Sequence, residues 1–237
     1  MYKNLNPRGS RLRIKVPVFR KSGLENLVRL FLCKTDLDNA PMLDPSSKNS
    51  TFNENSVRLH IGCGDCNIPG FINVDIKKYS HVHHATGADD LHFAEDQSVD
   101  MIYACHVLEH FGRTVFMDVL REWYRVLKPG GLLRVSVPDF RSCAEIYYEK
   151  GLEDGLSGLI GLISGGQRDE HDFHKMIFDE PFLTSAFQEL GFTAVRRWNW
   201  RETDHAEFDD FSQAYIPHMD KDQGTLMSLN LEAIKGS

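Results

Sequence analysis

The 237-residue chain has no run of about 18 apolar residues, so nothing in it reads as a membrane-spanning helix. Its basic N-terminus lacks the continuous apolar stretch and small-residue cleavage site of a secretory signal. The five cysteines, Cys33, Cys63, Cys66, Cys105 and Cys143, are odd in number and scattered, unlike the disulfide framework of a small secreted domain. These absences lead to the expectation of a cytoplasmic protein with reduced thiols. No internal repeat is visible. What is present, 41% hydrophobic and 26% charged residues, suffices for one large domain with a buried core.

Charge is unevenly placed. Residues 1–48 carry ten Lys and Arg against four Asp and Glu, and the rest of the chain carries 17 against 30. An acidic body argues against a general nucleic-acid surface, which needs a basic face on the domain itself. Within the basic part, Ser22-Gly23-Leu24-Glu25 reads as a capping box, with Leu24, Leu27, Val28 and Phe31 at helical spacing behind it. One amphipathic helix is expected, its apolar stripe packing on the body or on a second copy of the chain. Residues 36–56, rich in Asn, Ser, Asp and Pro, read as a linker. The expected organisation is an arm over 1–56 and a main domain over 57–237.

From Val57 onward the pattern alternates between strands and connections, as in an α/β domain with a mostly parallel sheet. Strands are expected at Val57–Ile61, Phe71–Val74, His83–Ala85, Val99–Ala104 and Leu132–Val137. A helix over Thr114–Leu127 carries Phe116, Val119, Leu120, Trp123 and Leu127 on one face and stops at Lys128-Pro129-Gly130-Gly131. Helices are expected at Cys143–Lys150 and Leu152–Ile163. Pro181 then opens a helix that ends at Gly191, and Val195–Trp200 and Thr225–Ala233 form closing strands.

The stretch Leu59–Ile76 carries two overlapping signals. Cys63 and Cys66 form a C-x-x-C pair, but a zinc knuckle needs a second ligand pair. The only H-x-x-x-H, His106 to His110, follows a different strand, so no metal is assigned. Gly62 and Gly64, directly after a first parallel strand, let the backbone approach a ligand, and Asp75 at the tip of the second strand can accept from ribose hydroxyls. The dinucleotide fingerprint is incomplete, with Asn67 at its third glycine and Asp75 too early. Little helix fits between Gly64 and Phe71, which weakens a pyrophosphate site. A nucleoside cofactor without a pyrophosphate is favoured.

Taken in order, Ile61-Gly62-Cys63-Gly64, Pro69 to Asp75, Asp90-Leu91-His92-Phe93, Ser98-Val99-Asp100, Cys105 to His110 and Arg125 to Gly131 resemble the class I S-adenosylmethionine-dependent methyltransferases. The similarity is greatest to a small bacterial branch found with surface-glycan biosynthesis. The resemblance implies a Rossmann-like seven-stranded, mostly parallel sheet with an antiparallel last strand, here preceded by the helical arm. It implies S-adenosylmethionine as cofactor, held by Ile61, Gly62, Cys63, Gly64, Asp75, Ile76, Asp89, Asp90, Leu91, Cys105 and His106. Within this set, Gly62 and Gly64 lie by the methionine moiety, Asp75 on the ribose, Asp89 (or Asp90) near the adenine amine, Leu91 beside the ring, and His106 faces the methyl group. Cys66 stands where the family has a third glycine, and His92 where it has proline.

An alcohol acceptor also needs a base. The polar stretch Gln167–Lys175 lies well after the strand ending at Val137, in a region where substrate-facing insertions occur on this fold. His174 resembles a recurring histidine of that branch and is ranked first, His106 second and His171 third. His205, Glu207, Asp209 and Asp210 read as an acidic loop rather than a cation site. His81, His83 and His84 receive no role. The function classes that remain are an O-methyltransferase for a sugar or nucleotide-sugar hydroxyl, a methyltransferase for a protein or nucleic-acid target, and a non-catalytic binder of the same fold. The expected partner is a small-molecule acceptor rather than nucleic acid, with a homo-oligomer through the N-terminal helix left open.

Overall fold

The computed structural model describes residues 52–150 and 155–237, apart from the side chain of Lys150. These residues belong to one compact unit. The capping box and helix expected at 22–31, and the linker up to residue 51, lie outside the described residues. Among the described residues no helix is long and apolar enough to cross a membrane.

Among the described residues nine strands and four α-helices follow in chain order. The strands are β1 (Arg58–Ile61), β2 (Ile72–Asp75), β3 (His84–Ala85), β4 (Val99–Cys105), β5 (Leu127–Pro138), β6 (Phe192–Arg197), β7 (Tyr215–Ile216), β8 (Thr225–Leu226) and β9 (Ser228–Lys235). The helices are α1 (Phe116–Val126), α2 (Phe140–Glu145), α3 (Ile160–Ser164) and α4 (Glu180–Glu189). The main sheet has seven strands in the order β3-β2-β1-β4-β5-β9-β6, and β9, the last in the chain, is antiparallel to both neighbours. This is the expected Rossmann-like architecture. β7 and β8 form a separate two-stranded ribbon.

The two faces of the sheet differ. Leu59, Ile61, Val74, Ile102, Ala104, Leu133, Val135, Leu231 and Ala233 form one face, packed with Phe116, Val119, Leu120 and Trp123 of α1 and with Leu183 and Phe187 of α4. Strand alternation of period two meets helical spacing of three and four, so each element buries one side. Trp123 is completely buried, and truncating it to alanine is expected to cost about 3–5 kcal/mol. The opposite face carries His60, Asn73, Tyr103, Arg134, Ser136, Asn230 and Glu232, all on paired positions of neighbouring strands. Trp198, Trp200, His205 and Phe208, from the segment after β6, pack against this side.

Several boundaries move for identifiable reasons. Lys128-Pro129-Gly130-Gly131 ends α1 as expected but lies inside β5 as an irregularity: Val99 pairs with Leu127, and Met101 next with Leu132. Lys128 Nζ holds both carboxylate oxygens of Asp100 at 2.7 Å across it. α2 starts at Phe140, ahead of the expected Cys143, because Asp139 caps it by accepting from Arg141 N at 3.0 Å, and Ile146–Lys150 continue as a π-helix. The helix expected over Leu152–Ile163 is broken into a 3₁₀ turn at Gly155–Gly158 and the short α3, in a stretch where Gly155, Gly158 and Gly161 weaken helix formation; residues 151–154 lie outside the description. β6 begins at Phe192, directly after Gly191 at φ +93°, which lets Phe192 enter the core against Phe187 and Tyr124. The single strand expected over Thr225–Ala233 is split at Met227, where the chain changes partners from β7 to the main sheet.

Candidate functional site

The loop after β1 is held by its own backbone. Gly62 and Gly64 both adopt positive φ, +64° and +55°. A Cβ at Gly62 would lie 2.3 Å from Val107 Cγ2, so only glycine lets this loop sit against the loop after β4; a Cβ at Gly64 meets nothing within 4 Å. Gly64 N donates to Asp75 Oδ2 at 2.8 Å, and Lys77 N donates to Asp75 Oδ1 at 2.7 Å. Each carboxylate oxygen keeps a further lone pair, so the nearly buried Asp75 can still accept from a ligand hydroxyl. His81, which the sequence reading left without a role, sets its Nε2 3.0 Å from Gly64 O and braces the loop. Ile76 beside it is 51% exposed, an apolar surface next to the acidic tip.

The other expected cofactor residues divide by burial. Asp89 and Asp90 are exposed, and Asp90 Oδ1 lies 3.0 Å from His92 Nδ1, which together with further contacts to His92 and Thr86 lowers its pKa. Ile61 and Leu91 are completely buried, so their side chains have no surface for a ligand. Leu91 is further fixed by Glu122 Oε1, which accepts from its N–H at 3.0 Å, and by Arg125. Trp123 Nε1 donates to Ala88 O at 2.8 Å, so α1 anchors the whole loop from 88 to 94. The geometry therefore suits a nucleoside: an open glycine turn, a carboxylate with free lone pairs and an exposed apolar residue lie together.

Cys63 and Cys66 are free thiols. Burial, then the neighbouring Asp75, pushes Cys63 up to about 12, and burial with nearby aspartates pushes Cys66 up to about 11. Such thiols stay protonated at neutral pH and are poor nucleophiles. Cys105 is buried at the end of β4, its pKa raised by the same desolvation.

The chemistry gathers where β4 ends. His106 has φ +53°, a left-handed conformation uncommon for a residue with a side chain, and its N–H donates to Ser136 O at 2.8 Å. Its Nε2 lies 3.0 Å from Ser228 Oγ. The Ser228 hydroxyl spends its one hydrogen on Phe211 O at 2.6 Å, so Nε2 is the donor and Nδ1 carries the lone pair, 3.3 Å from Glu109 Oε1. His174 Nδ1 is 2.9 Å from Leu162 O and His110 Nδ1 is 3.2 Å from Phe173 O. A carbonyl only accepts, so both rings hold their proton on Nδ1 and their lone pair on Nε2.

At the centre stands Glu109. It is completely buried, and neither carboxylate oxygen has a hydrogen-bond partner. Burial pushes it up to about 8, and burial followed by the other histidines takes His106 down to about 3. Burial lowers His110 and His174 as well. His174 Nε2 lies 3.9 Å from Glu109 Oε1, and the His110 and His174 rings meet edge to face at 4.9 Å. The polar stretch is brought here by main-chain bonds, from Lys175 N and Met176 N to Glu109 O at 2.7 and 3.1 Å. Its far end is tied to the side of the glycine loop by Lys77 Nζ and Asp169 Oδ2 at 2.6 Å.

The structure thus joins His106 and His174, two of the three candidate bases, and adds Glu109 and His110. His171 does not join them: Asp169 Oδ1 accepts from its N–H at 2.9 Å in a local turn that leaves its ring exposed. Glu109 could have been found in the sequence as an acidic residue next to apolar Val107-Leu108 just past a buried strand.

Residues 59–135, about a third of the chain, match the family model described as the methyltransferase domain. The cofactor indicated by that match is S-adenosylmethionine. No curated protein matches the sequence. Among solved structures the chain is similar to the 1,6-didemethyltoxoflavin-N1-methyltransferase of Burkholderia thailandensis, with bound 1,6-didemethyltoxoflavin and S-adenosylhomocysteine, at 14% identity over 77% of this chain and 72% of that one, TM-score 0.46. It is similar to a SAM-dependent methyltransferase of Archaeoglobus fulgidus at 15% identity, over 77% and 87%, TM-score 0.46. A SAM-dependent methyltransferase of Thermotoga maritima is 17% identical over 76% and 82%, TM-score 0.46.

Proposed function

We propose that this protein is an S-adenosylmethionine-dependent O-methyltransferase whose acceptor is a hydroxyl of a sugar or nucleotide-sugar. The observation that carries the reading is the convergence of His106, His110 and His174 on Glu109, in the loop that packs through Val107 on the glycine turn. Bound S-adenosylmethionine supplies an electrophilic methyl group on a sulfonium. Gly62 and Gly64 give it room, Asp75 accepts from its ribose and Ile76 covers an apolar part. Transfer to oxygen then needs two things of the chain: an acceptor held in line, and a lone pair to take the hydroxyl proton. His174 Nε2 is the first choice for that lone pair, being fixed by the Nδ1 bond to Leu162 O, and His106 is the second. The polar stretch Gln167–Lys175 favours a hydrophilic acceptor over a flat aromatic one.

Methyl transfer followed by mass spectrometry over nucleotide-sugars, free glycans, peptides and RNA tests the reading. Methylation is expected on the first two classes. Methylation confined to peptides or RNA would sink the sugar acceptor, and calorimetry showing no binding of S-adenosylmethionine would sink the methyltransferase reading itself.

A further inference from the structure

We propose that Glu109, His110 and His174 form a binding site for a divalent transition-metal cation, with zinc as its best-fitting member. One potential ligand atom of each lies within 4.8 Å of the others. Zinc takes imidazole nitrogen and carboxylate oxygen at about 2.0–2.2 Å, which sets neighbouring ligand atoms about 3.3–3.6 Å apart in a tetrahedral site. Side-chain movements of about 1 Å close the set to those distances.

Three observations support a built site. Both histidines already place Nδ1 on a main-chain carbonyl, Leu162 O and Phe173 O, the arrangement that fixes a metal-binding imidazole, and His174 turns its Nε2 to Glu109 Oε1 at 3.9 Å. Glu109 is completely buried with both oxygens unpartnered, an arrangement that is costly unless something satisfies it. The three side chains come from two segments more than sixty residues apart, joined by the bonds from Lys175 N and Met176 N to Glu109 O, so the set is held by main chain rather than by chance contact of surface side chains. Two imidazoles and one carboxylate leave a coordination position open, the composition of a catalytic rather than a structural site.

A cation here would lower the pKa of a bound hydroxyl, and in that respect alone the inference rests on the methyl-transfer reading. With it in place His174 is a ligand, and the lone pair left for the acceptor proton is that of His106 Nδ1. The site itself stands on the geometry of the three residues.

Titrating zinc into the chelator-treated full chain, read by calorimetry and by thermal melting, tests this. One equivalent is expected to bind and to raise Tm. Glu109→Gln and His110→Ala should each weaken binding on the order of 100-fold. Cys66→Ser should leave it unchanged. A cooperative melt without zinc identifies which variants are folded, and if one is not, His174→Asn takes its place. Absence of saturable zinc uptake, uptake untouched by Glu109→Gln and its companions, or uptake lost in Cys66→Ser each overturns the site. Zinc binding without S-adenosylmethionine binding would separate this inference from the failed function, and methyl transfer without zinc binding would do the reverse.

Discussion

Among the described residues two groups of histidines, one buried and one partly buried, lie in different surroundings. On the polar face of the sheet, His60 lies 5.2 Å from the Tyr103 ring and Tyr103 4.5 Å from His205, with Phe71 and Trp198 closing around them. The carboxylates there are matched, although His60 Nδ1 and His205 Nε2 have no hydrogen-bond partner: Tyr103 donates to Asp210 at 2.6 Å, and Arg134 and Arg196 share Glu232. Past the end of β4 the second group surrounds a carboxylate that nothing satisfies. Burial alone therefore does not mark a site. The first group resembles a polar core filled by aromatic packing, and the second leaves lone pairs directed at a common point.

The contrast is most sharply broken by His174→Ala. Turnover should fall about 10² to 10⁴-fold while affinity for S-adenosylmethionine stays unchanged, as measured by initial rates and calorimetry. A fully active variant moves the proton acceptor to His106.

Next in size is the pH dependence of the first group. Burial takes both His60 and His205 down to about 4; Asp210 opposes this at both, and Asp204 at His205, while His205 and His81 add to the lowering at His60 and Arg134 and Arg58 add to it at His205. The unfolded chain binds these protons near pH 6.5 and the folded one only near 4, so the unfolded state holds more protons between them. Stability should therefore fall as pH drops from about 6.5 to 4, by on the order of 3 kcal/mol per histidine at most. Denaturant unfolding at several pH values measures it, and His205→Gln should flatten the slope. An unchanged slope would place the titration elsewhere.

Asp75→Ala should weaken cofactor binding by about 1.5–3 kcal/mol, since it removes charge-assisted hydrogen bonds and also frees Gly64 N. The smallest effect belongs to the exposed pair Lys77 and Asp169, where Lys77→Ala should cost no more than about 1 kcal/mol of stability. A larger loss would mean that this pair holds the polar stretch over the cofactor loop.

Much of the fold was legible because local rules sufficed. Period-two strands before Pro138, the Gly62 and Gly64 turn, the apolar stripe of α1 and the stop at Gly130-Gly131 each follow from side-chain spacing and backbone freedom over a few residues. After Pro138 the boundaries slipped, since glycines at 155, 158 and 161 weaken any periodic signal and the strand expected over Thr225–Ala233 changes partner at Met227. The candidate site was half legible. His106 and His174 stood out as residue types able to take a proton, and only a family resemblance ranked His174 above His171 three positions earlier. The tertiary structure supplies the physical reason, because the bond to Leu162 O and the docking of Lys175 and Met176 on Glu109 turn one ring inward while a turn at Asp169 leaves the other in solvent. The sequence by itself determined which residues can bend, pack or ionise, since those properties are local. Which of them meet across more than sixty residues, and which carboxylate is stripped of water there, was decided by the packing of the whole chain, because desolvation and mutual distance exist only once the chain has folded.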